Sequence, residues 1–413
     1  MAENPSAQDN TGQEASSVEA QGKPEKSPVA QIVHKYIAEG IQARASDIFF
    51  EPLEEELLIR YRVDGKLHKV GTLPLAYHEP IVIHTKVVSS LDIAEHRLPQ
   101  DGRFKMTMVE KEVDFRVSIV PTNSGEKIVL RVLDKSSVIL DVNRLGFDER
   151  SLGLFKKNLV KPFGMILVCG PTGSGKTTTL YSCLKYIDSV EKNIVSVEDP
   201  IEYQLYGINQ VEVHEDIGMT FAAALRAILR QDPNIVLVGE IRDHETADIA
   251  VKAALTGHLI ISTLHTISAV GSIIRLMNME IEPFLVASCC LLVASQVLVR
   301  VLCPECKEPY HPSDALIQEF AAYGVAITRE IVLYKHKGCE RCNTMGFKGR
   351  VALVETAEIN FNMKEAIIRG ASQQELKDIA IKDGMISLRH NGFELIAKGM
   401  TTVEEIIRTT SAD

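Results

Sequence analysis

Gly170, Pro171, Thr172, Gly173, Ser174, Gly175, Lys176, Thr177 and Thr178 follow one another in a stretch whose residue types and spacing suit phosphate binding. The glycines let backbone N–H groups close around an anion, Lys176 can reach the β and γ phosphates of ATP, and the Thr177 hydroxyl can ligate Mg2+. The apolar run Met165–Cys169 precedes the stretch and helix-suited residues Thr178–Tyr186 follow it. A strand that stops at a glycine turn and restarts as a helix aims N–H groups and the helix dipole at one spot. The alternative is an ordinary glycine-rich turn, against which the full G-x-x-x-x-G-K-T pattern argues.

Three later apolar runs, Ile194–Val197, Ile235–Val238 and Leu259–Thr263, also read as strands ending in polar residues. They lead into Glu198-Asp199-Pro200-Ile201-Glu202, Gly239-Glu240-Ile241-Arg242-Asp243 and Leu264-His265. In an open parallel sheet ligands sit at the carboxyl ends of the strands, so catalysis belongs there. ATP hydrolysis needs Mg2+ and a carboxylate that orients the attacking water. Glu240 is the first candidate for the magnesium-side or water-positioning acid, with Glu198 and Glu202 next, and His265 is a candidate γ-phosphate sensor. Cys303-Pro-Glu-Cys306 and Cys339-Glu-Arg-Cys342 form two C-x-x-C pairs. Their four thiolates suit a structural, tetrahedral Zn2+, since neither pair opens a helix as a thioredoxin-like redox motif would. Cys169, Cys183, Cys289 and Cys290 lie in apolar contexts and read as core.

These residues need a frame. The chain has 413 residues, 45% of them hydrophobic, and a net charge of −10. That is enough for two or three domains and argues against a broad nucleic-acid footprint. With no apolar run near the ~20 residues of a membrane span, a cytoplasmic location is expected. Residues 1–26 read as a disordered tail, 27–134 as a small α/β domain, 135–160 as a linker, and 161–413 as a RecA-like α/β domain with a mostly parallel sheet. Within the last, 300–345 is the zinc segment and 360–413 is helical, with capping boxes at Ser372/Glu375 and Thr402/Glu405. Ser27-Pro28 reads as a helix start, and Leu58–Val70 as a hairpin turning at Asp64-Gly65. A second hairpin pairs Val113–Ile119 with Ile128–Val132 across Pro121–Gly125. Its apolar register puts Arg116 opposite Arg131, where like charges repel; two solvated surface arginines are the simpler reading.

Together these motifs resemble the ATPases of type II secretion and type IV pilus assembly, the GspE/PilB group. The resemblance runs from about Ala45 onward and includes Ala45-Ser46-Asp47-Ile48, Leu98-Pro99-Gln100-Asp101-Gly102-Arg103, Gly125-Glu126-Lys127, the glycine loop, the three strand-end motifs, Ser262–Thr266 and both cysteine pairs. It implies a PAS-like domain joined to a RecA-like ATPase, working as a homo-hexameric ring. Such a ring sits on the cytoplasmic face of the inner membrane, peripheral to it through a membrane platform protein and without direct nucleic-acid contact. It also implies that Arg116 and Arg131 serve the nucleotide site. The cysteine pairs favour assembly motors over retraction motors. Phe49, Ile267-Ser268, Glu280 and Val297 depart from the family's usual histidine, Asn-Asp, glycine and arginine, and a tail is expected in place of the family's extra N-terminal domain. The competing functions are a DNA-uptake or conjugation ATPase, and a ring component that binds nucleotide without hydrolysing it.

Overall fold

The computed structural model describes residues 27–108, 111–133 and 140–410; the expected tail over 1–26 lies outside them. The chain divides into two compact units. The first takes residues up to Tyr61, Lys69–Phe104 and Arg116–Arg131, and the second takes Arg62–His68, Lys105–Phe115 and everything from Val132.

The early elements are α1 (Pro28–Gln42), β1 (Ala45–Pro52), β2 (Glu56–Val63), β3 (Lys66–Pro74), α2 (His78–Val88), β4 (Gln100–Met108), β5 (Lys111–Thr122) and β6 (Gly125–Leu133). The strands form one sheet in the order β3-β2-β1-β6-β5-β4. Alternation sets its buried face: Leu57, Ile59, Tyr61 and Val63 on β2, and Phe115, Val117, Ile128 and Leu130 on β5 and β6, are all buried. Asp64 and Gly65 take left-handed φ of 47° and 83°, as a two-residue hairpin turn of the primed type requires. The second turn is also two residues, Asn123-Ser124, shorter than the stretch expected from sequence. Pro28 opens α1 as expected, but the Ser27 side chain makes no capping bond.

The later elements are α3 (Glu149–Leu159), β7 (Gly164–Cys169), α4 (Lys176–Ile187), β8 (Ile194–Glu198), β9 (Asn209–Glu212), α5 (Phe221–Ile228), β10 (Ile235–Val238), α6 (His244–Leu255), β11 (Leu259–Leu264), α7 (Ala269–Asn278), α8 (Pro283–Cys289) and β12 (Cys290–Leu302). There follow β13 (Glu308–Tyr310), α9 (Asp314–Ala322), β14 (Leu333–Lys335), β15 (Phe347–Glu358), α10 (Phe361–Ile368), α11 (Gln373–Lys382), α12 (Leu388–Ala397) and α13 (Val403–Thr409). A seven-stranded sheet in the order β15-β12-β7-β11-β10-β8-β9 carries the unit. Its pairings are parallel except β12 with β15. Every β7 residue is buried because Met165, Leu167 and Cys169 pack on one face while Ile166 and Val168 pack on the other. Covering both faces in this way is what a parallel sheet needs.

The sequence reading found β7, β8, β10 and β11 but not β9, β12 or β15. Over Leu291–Val299 the apolar run is nearly continuous, and such a run does not separate a buried strand from a buried helix. The two capping boxes form only their first half: Ser372 and Thr402 accept from the N–H of Glu375 and Glu405. Glu375 instead takes Arg369 at 2.6 Å. The Glu405 carboxylate, 1% exposed, accepts from Arg300 Nη2 at 2.7 Å and Arg408 Nη2 at 2.6 Å, and so pins α13 to β12. Val297, in place of an arginine, joins a third apolar cluster with Phe320, Leu353 and Phe393. Glu280 has φ 64°, the backbone region that glycine enters without strain.

Candidate nucleotide and metal sites

β7 ends at Cys169 and α4 begins at Lys176, so the glycine loop bridges the carboxyl end of a central strand and a helix N-terminus. Gly170, Gly173 and Gly175 have φ of 143°, 79° and 86°. A Cβ on Gly170 would lie 2.2 Å from the Gln296 carbonyl oxygen, whereas Gly173 faces open space. Pro171, Thr172 and Gly173 are exposed, Thr177 and Thr178 are half-buried in the first turn of α4, and Ser174 is buried with an Oγ that makes no hydrogen bond. That orphaned hydroxyl and the glycine-lined cradle fit an anion. Lys176 folds back on the loop, donating to the carbonyls of Gly170 at 2.8 Å and Pro171 at 3.2 Å. Burial pulls its ammonium below the usual lysine range, while the Glu240 charge nearby opposes that shift.

Glu240 lies two residues beyond β10 and His265 one beyond β11, and His265 Nε2 meets the Glu240 carboxylate at 2.6 Å. Arg242 contacts the same carboxylate and reaches Asp199 at 3.2 Å, so the ends of β8, β10 and β11 are joined through Glu240 by ion pairs with Arg242 and a hydrogen bond with His265. Burial raises the Glu240 pKa, but the bonds from His265 and Arg242 outweigh it and hold the group below the ordinary carboxylate range. Thr263 Oγ1 donates to the Gly239 carbonyl at 2.7 Å and the Ile241 N–H to the Thr263 carbonyl at 3.1 Å, fixing the turn that carries Glu240.

The other two acids sit differently. Glu198 is 4% exposed and its carboxylate accepts from the hydroxyls of Tyr181 and Ser196 and from Gln210 Nε2 at 3.1 Å. It is committed to a buried network that ties β8 to α4, where burial and the Glu198 charge push the Tyr181 hydroxyl pKa upward. Glu202 is half-buried in the loop after β8. His258 precedes β11, at the end opposite His265.

Arg116 and Arg131 belong to the first unit, half-buried and exposed respectively. The expected bare repulsion between them is corrected by β1. Because β6 lies between β1 and β5, Arg131 has a second neighbour, Asp47, directly opposite it, and donates to that carboxylate at 3.0 Å. A hairpin supplies one flank of Arg131, and the sheet supplies the other.

The four cysteine Sγ atoms lie within 4.8 Å of one another. The separations Cys303–Cys339, Cys306–Cys342 and Cys339–Cys342 are 4.0, 3.8 and 3.8 Å. A tetrahedral zinc with bonds of about 2.3 Å has sulfur–sulfur edges of about 3.8 Å, so the set fits the ion. The N–H groups of Cys339 and Gly346 donate to Cys342 Sγ at 3.2 and 3.1 Å. Against the effect of burial, they lower that thiol to about 7. Burial first, then the neighbouring thiols, pushes Cys306 up to about 12; four thiolates cannot be crowded together without a cation among them.

Sequence reasoning missed Gln296, Tyr181 and the ion-pairing role of Arg242. Gln296 had a signal, being one of only two polar residues in the apolar run Leu291–Val299.

A family model for type II/IV secretion system proteins matches residues 22–408. The type IV pilus assembly ATPase PilB of Myxococcus xanthus is 49% identical over 389 residues, 94% of this chain and 68% of that protein. Type II secretion system protein E of Pseudomonas aeruginosa is 47% identical over 383 residues, 93% of this chain and 76% of that one. Among solved structures, the pilus retraction motor PilT with bound ADP superposes with a TM-score of 0.63 at 25% identity, covering 94% of this chain and 98% of that one. The ATPase DotB of Legionella pneumophila shares the fold with a TM-score of 0.66 at 18% identity, covering 91% and 94%.

Proposed function

The chain belongs to the type II/IV secretion system protein family, and on that premise we propose how its site works and which machine it serves. It is an ATP-hydrolysing motor of secretion or pilus assembly. The observation that carries the site reading is the meeting of the glycine loop, Glu240 and His265 at the carboxyl edge of one parallel sheet, close enough for the Glu240 charge to act on Lys176.

In the proposed mechanism the loop N–H groups hold the phosphates, and Lys176 leaves the Gly170 and Pro171 carbonyls for the β and γ oxygens. Thr177 and Glu240 would hold Mg2+, which supplies charge neutralisation at the phosphates. Glu240, kept ionised by His265 and Arg242, accepts a hydrogen bond from the attacking water and orients it. His265 reads the γ-phosphate through that same carboxylate. Glu198 positions α4 from its buried network, and Glu202 is a reserve acid. Arg116 and Arg131 would add positive charge for the phosphates, the role the family resemblance implies for them. Cys303, Cys306, Cys339 and Cys342 hold a structural Zn2+, all four ligands being protein.

The motor works as a homo-hexameric ring, peripheral at the cytoplasmic face of the inner membrane through a platform protein. Among the described residues no helix is long and apolar enough to cross a membrane, in keeping with docking through partners. Identity of 49% to an assembly ATPase against 25% to a retraction motor supports assembly. The test is a pair of substitutions in the full chain. Lys176→Ala drops ATP turnover below about a tenth of wild type with unchanged unfolding, as expected when an electrostatic clamp on transferred phosphate is lost. Glu240→Gln, which keeps shape and loses charge, binds ATP and holds it unhydrolysed. Near wild-type turnover in either variant refutes the reading.

A further inference from the structure

The glycine loop rests on a side chain that belongs to no recognised motif. β12 pairs with β7 as far as Ser295, opposite Cys169. There the two strands part: β7 turns into the loop, and Gln296, 1% exposed, fills the fork. Gln296 Nε2 donates to the Ser174 carbonyl at 2.7 Å, and its Oε1 accepts from Thr179 Oγ1 at 2.7 Å. The orientation of this amide follows from its partners. A carbonyl can only accept, so the NH2 must face Ser174, and the Thr179 hydroxyl, which can do either, donates to the oxygen. One buried amide thus ties the loop to the helix that follows it.

Resting on the reading of residues 170–178 as the nucleotide site, we propose that Gln296 is a positioning residue for phosphate binding, holding the Ser174–Gly175 peptide with its N–H turned toward the phosphates. In a trans peptide the C=O and the next N–H point opposite ways. With the Ser174 carbonyl drawn onto Gln296, the Gly175 N–H points away from β12. The β12 side is closed: a Cβ on Gly175 would stand 3.0 Å from Gln296 Nε2, and one on Gly170 would stand 2.2 Å from the Gln296 carbonyl oxygen. The opposite side is where Pro171, Thr172 and Gly173 are exposed. Without the tie, the Ser174 carbonyl loses its buried donor and the peptide samples other orientations, which lowers the fraction of loops ready for phosphate. Apparent affinity falls by that fraction, equally for ATP and ADP. Bound nucleotide itself restores the geometry, so the chemical step suffers less.

The experiment is calorimetric titration of the full chain with ADP, together with steady-state ATP hydrolysis, on Gln296→Leu, Thr179→Val, Thr179→Ser and the Gln296→Leu/Thr179→Val double variant. In Gln296→Leu the Kd for ADP and the KM for ATP rise together on the order of tenfold, as one buried hydrogen bond lost from a pre-organised site allows, and kcat falls by a much smaller factor. Thr179→Val moves both in the same direction by less, Thr179→Ser keeps the hydroxyl and stays near wild type, and the double variant is no worse than Gln296→Leu alone. Unchanged ADP affinity in Gln296→Leu or Thr179→Val overturns the role, as does a fall in kcat at constant KM. Should Gln296→Leu not fold, Thr179→Val against Thr179→Ser decides alone. Wild-type chain that fails to bind ADP overturns the nucleotide reading along with this one; wild type that binds while the variants bind equally well overturns only the role of Gln296.

Discussion

Substituting Glu405 with glutamine removes one buried charge and leaves the side chain's volume in place. The carboxylate takes Arg300 through Nε at 3.1 Å and Nη2 at 2.7 Å, Arg300 N–H at 3.1 Å, and Arg408 at 2.6 Å. Burial alone would raise its pKa, but the Arg300 and then the Arg408 bonds outweigh burial and bring it from 4.5 to about 2. Lowering the pKa from 4.5 to about 2 corresponds to about 3 kcal/mol. The cost of breaking a buried ion pair from one side, about 3–5 kcal/mol, agrees with this. Because the folded-state pKa is depressed, the stabilisation is complete above the unfolded pKa near 4.5 and is lost as pH falls toward 2. The difference in unfolding free energy between wild type and Glu405→Gln should be about 3 kcal/mol at pH 7 and shrink to about 2 kcal/mol by pH 3.5. Denaturant titration at pH 7, 5 and 3.5 reads it directly. A difference under about 1 kcal/mol at pH 7, the level of an exposed pair, or one that does not shrink between pH 5 and 3.5, refutes the assignment of Glu405 as the charge that pins α13.

Two further outcomes are expected. Purified protein carries one zinc per chain, and Cys339→Ser lowers the zinc content measured by metal analysis; unchanged content would refute a zinc site on the four cysteines. Arg116→Ala and Arg131→Ala reduce turnover on the order of the 10³-fold that transition-state arginines contribute, with a smaller effect on nucleotide affinity. Without nucleotide, Arg131→Ala also loses up to about 1 kcal/mol because its cross-strand ion pair with Asp47 is removed. Near wild-type hydrolysis by both assembled variants would return the arginines to ordinary surface residues.

The parts legible in the sequence were those with local rules. The glycine loop, the Asp64-Gly65 turn and the cysteine pairs each follow from a few neighbouring residues, and the strands that lead into them are short apolar runs of one kind. What escaped depends on neighbours far along the chain. β12 looked like undifferentiated core because both its faces are covered. Gln296 gains its meaning only from a loop more than a hundred residues earlier, and Arg131 only from Asp47 on a strand that a hairpin diagram leaves out. Glu198 and Glu240 look alike on paper, as acids just past apolar strands. Tyr181, reaching across from α4, separates them by taking one carboxylate into the core and leaving the other to His265 and Arg242.

The parting of β12 from β7 also has a mechanical side. As far as Ser295, β12 is bonded on both edges, to β7 and to β15; from there to Leu302 its ladder partner is β15, and Cys303 follows at once. Bare, a two-stranded ribbon would flex at the point of departure, but Val297 and Val299 pack against Phe320 and Phe393 and Arg300 is clamped by Glu405, so this one is braced. The seven residues Gln296–Leu302 span roughly 23 Å at about 3.3 Å per residue. The cysteine cluster is therefore joined to the residues beside Gly170 by a braced strut, and a load applied at the cysteines reaches the glycine loop through β12 and the helices packed on it.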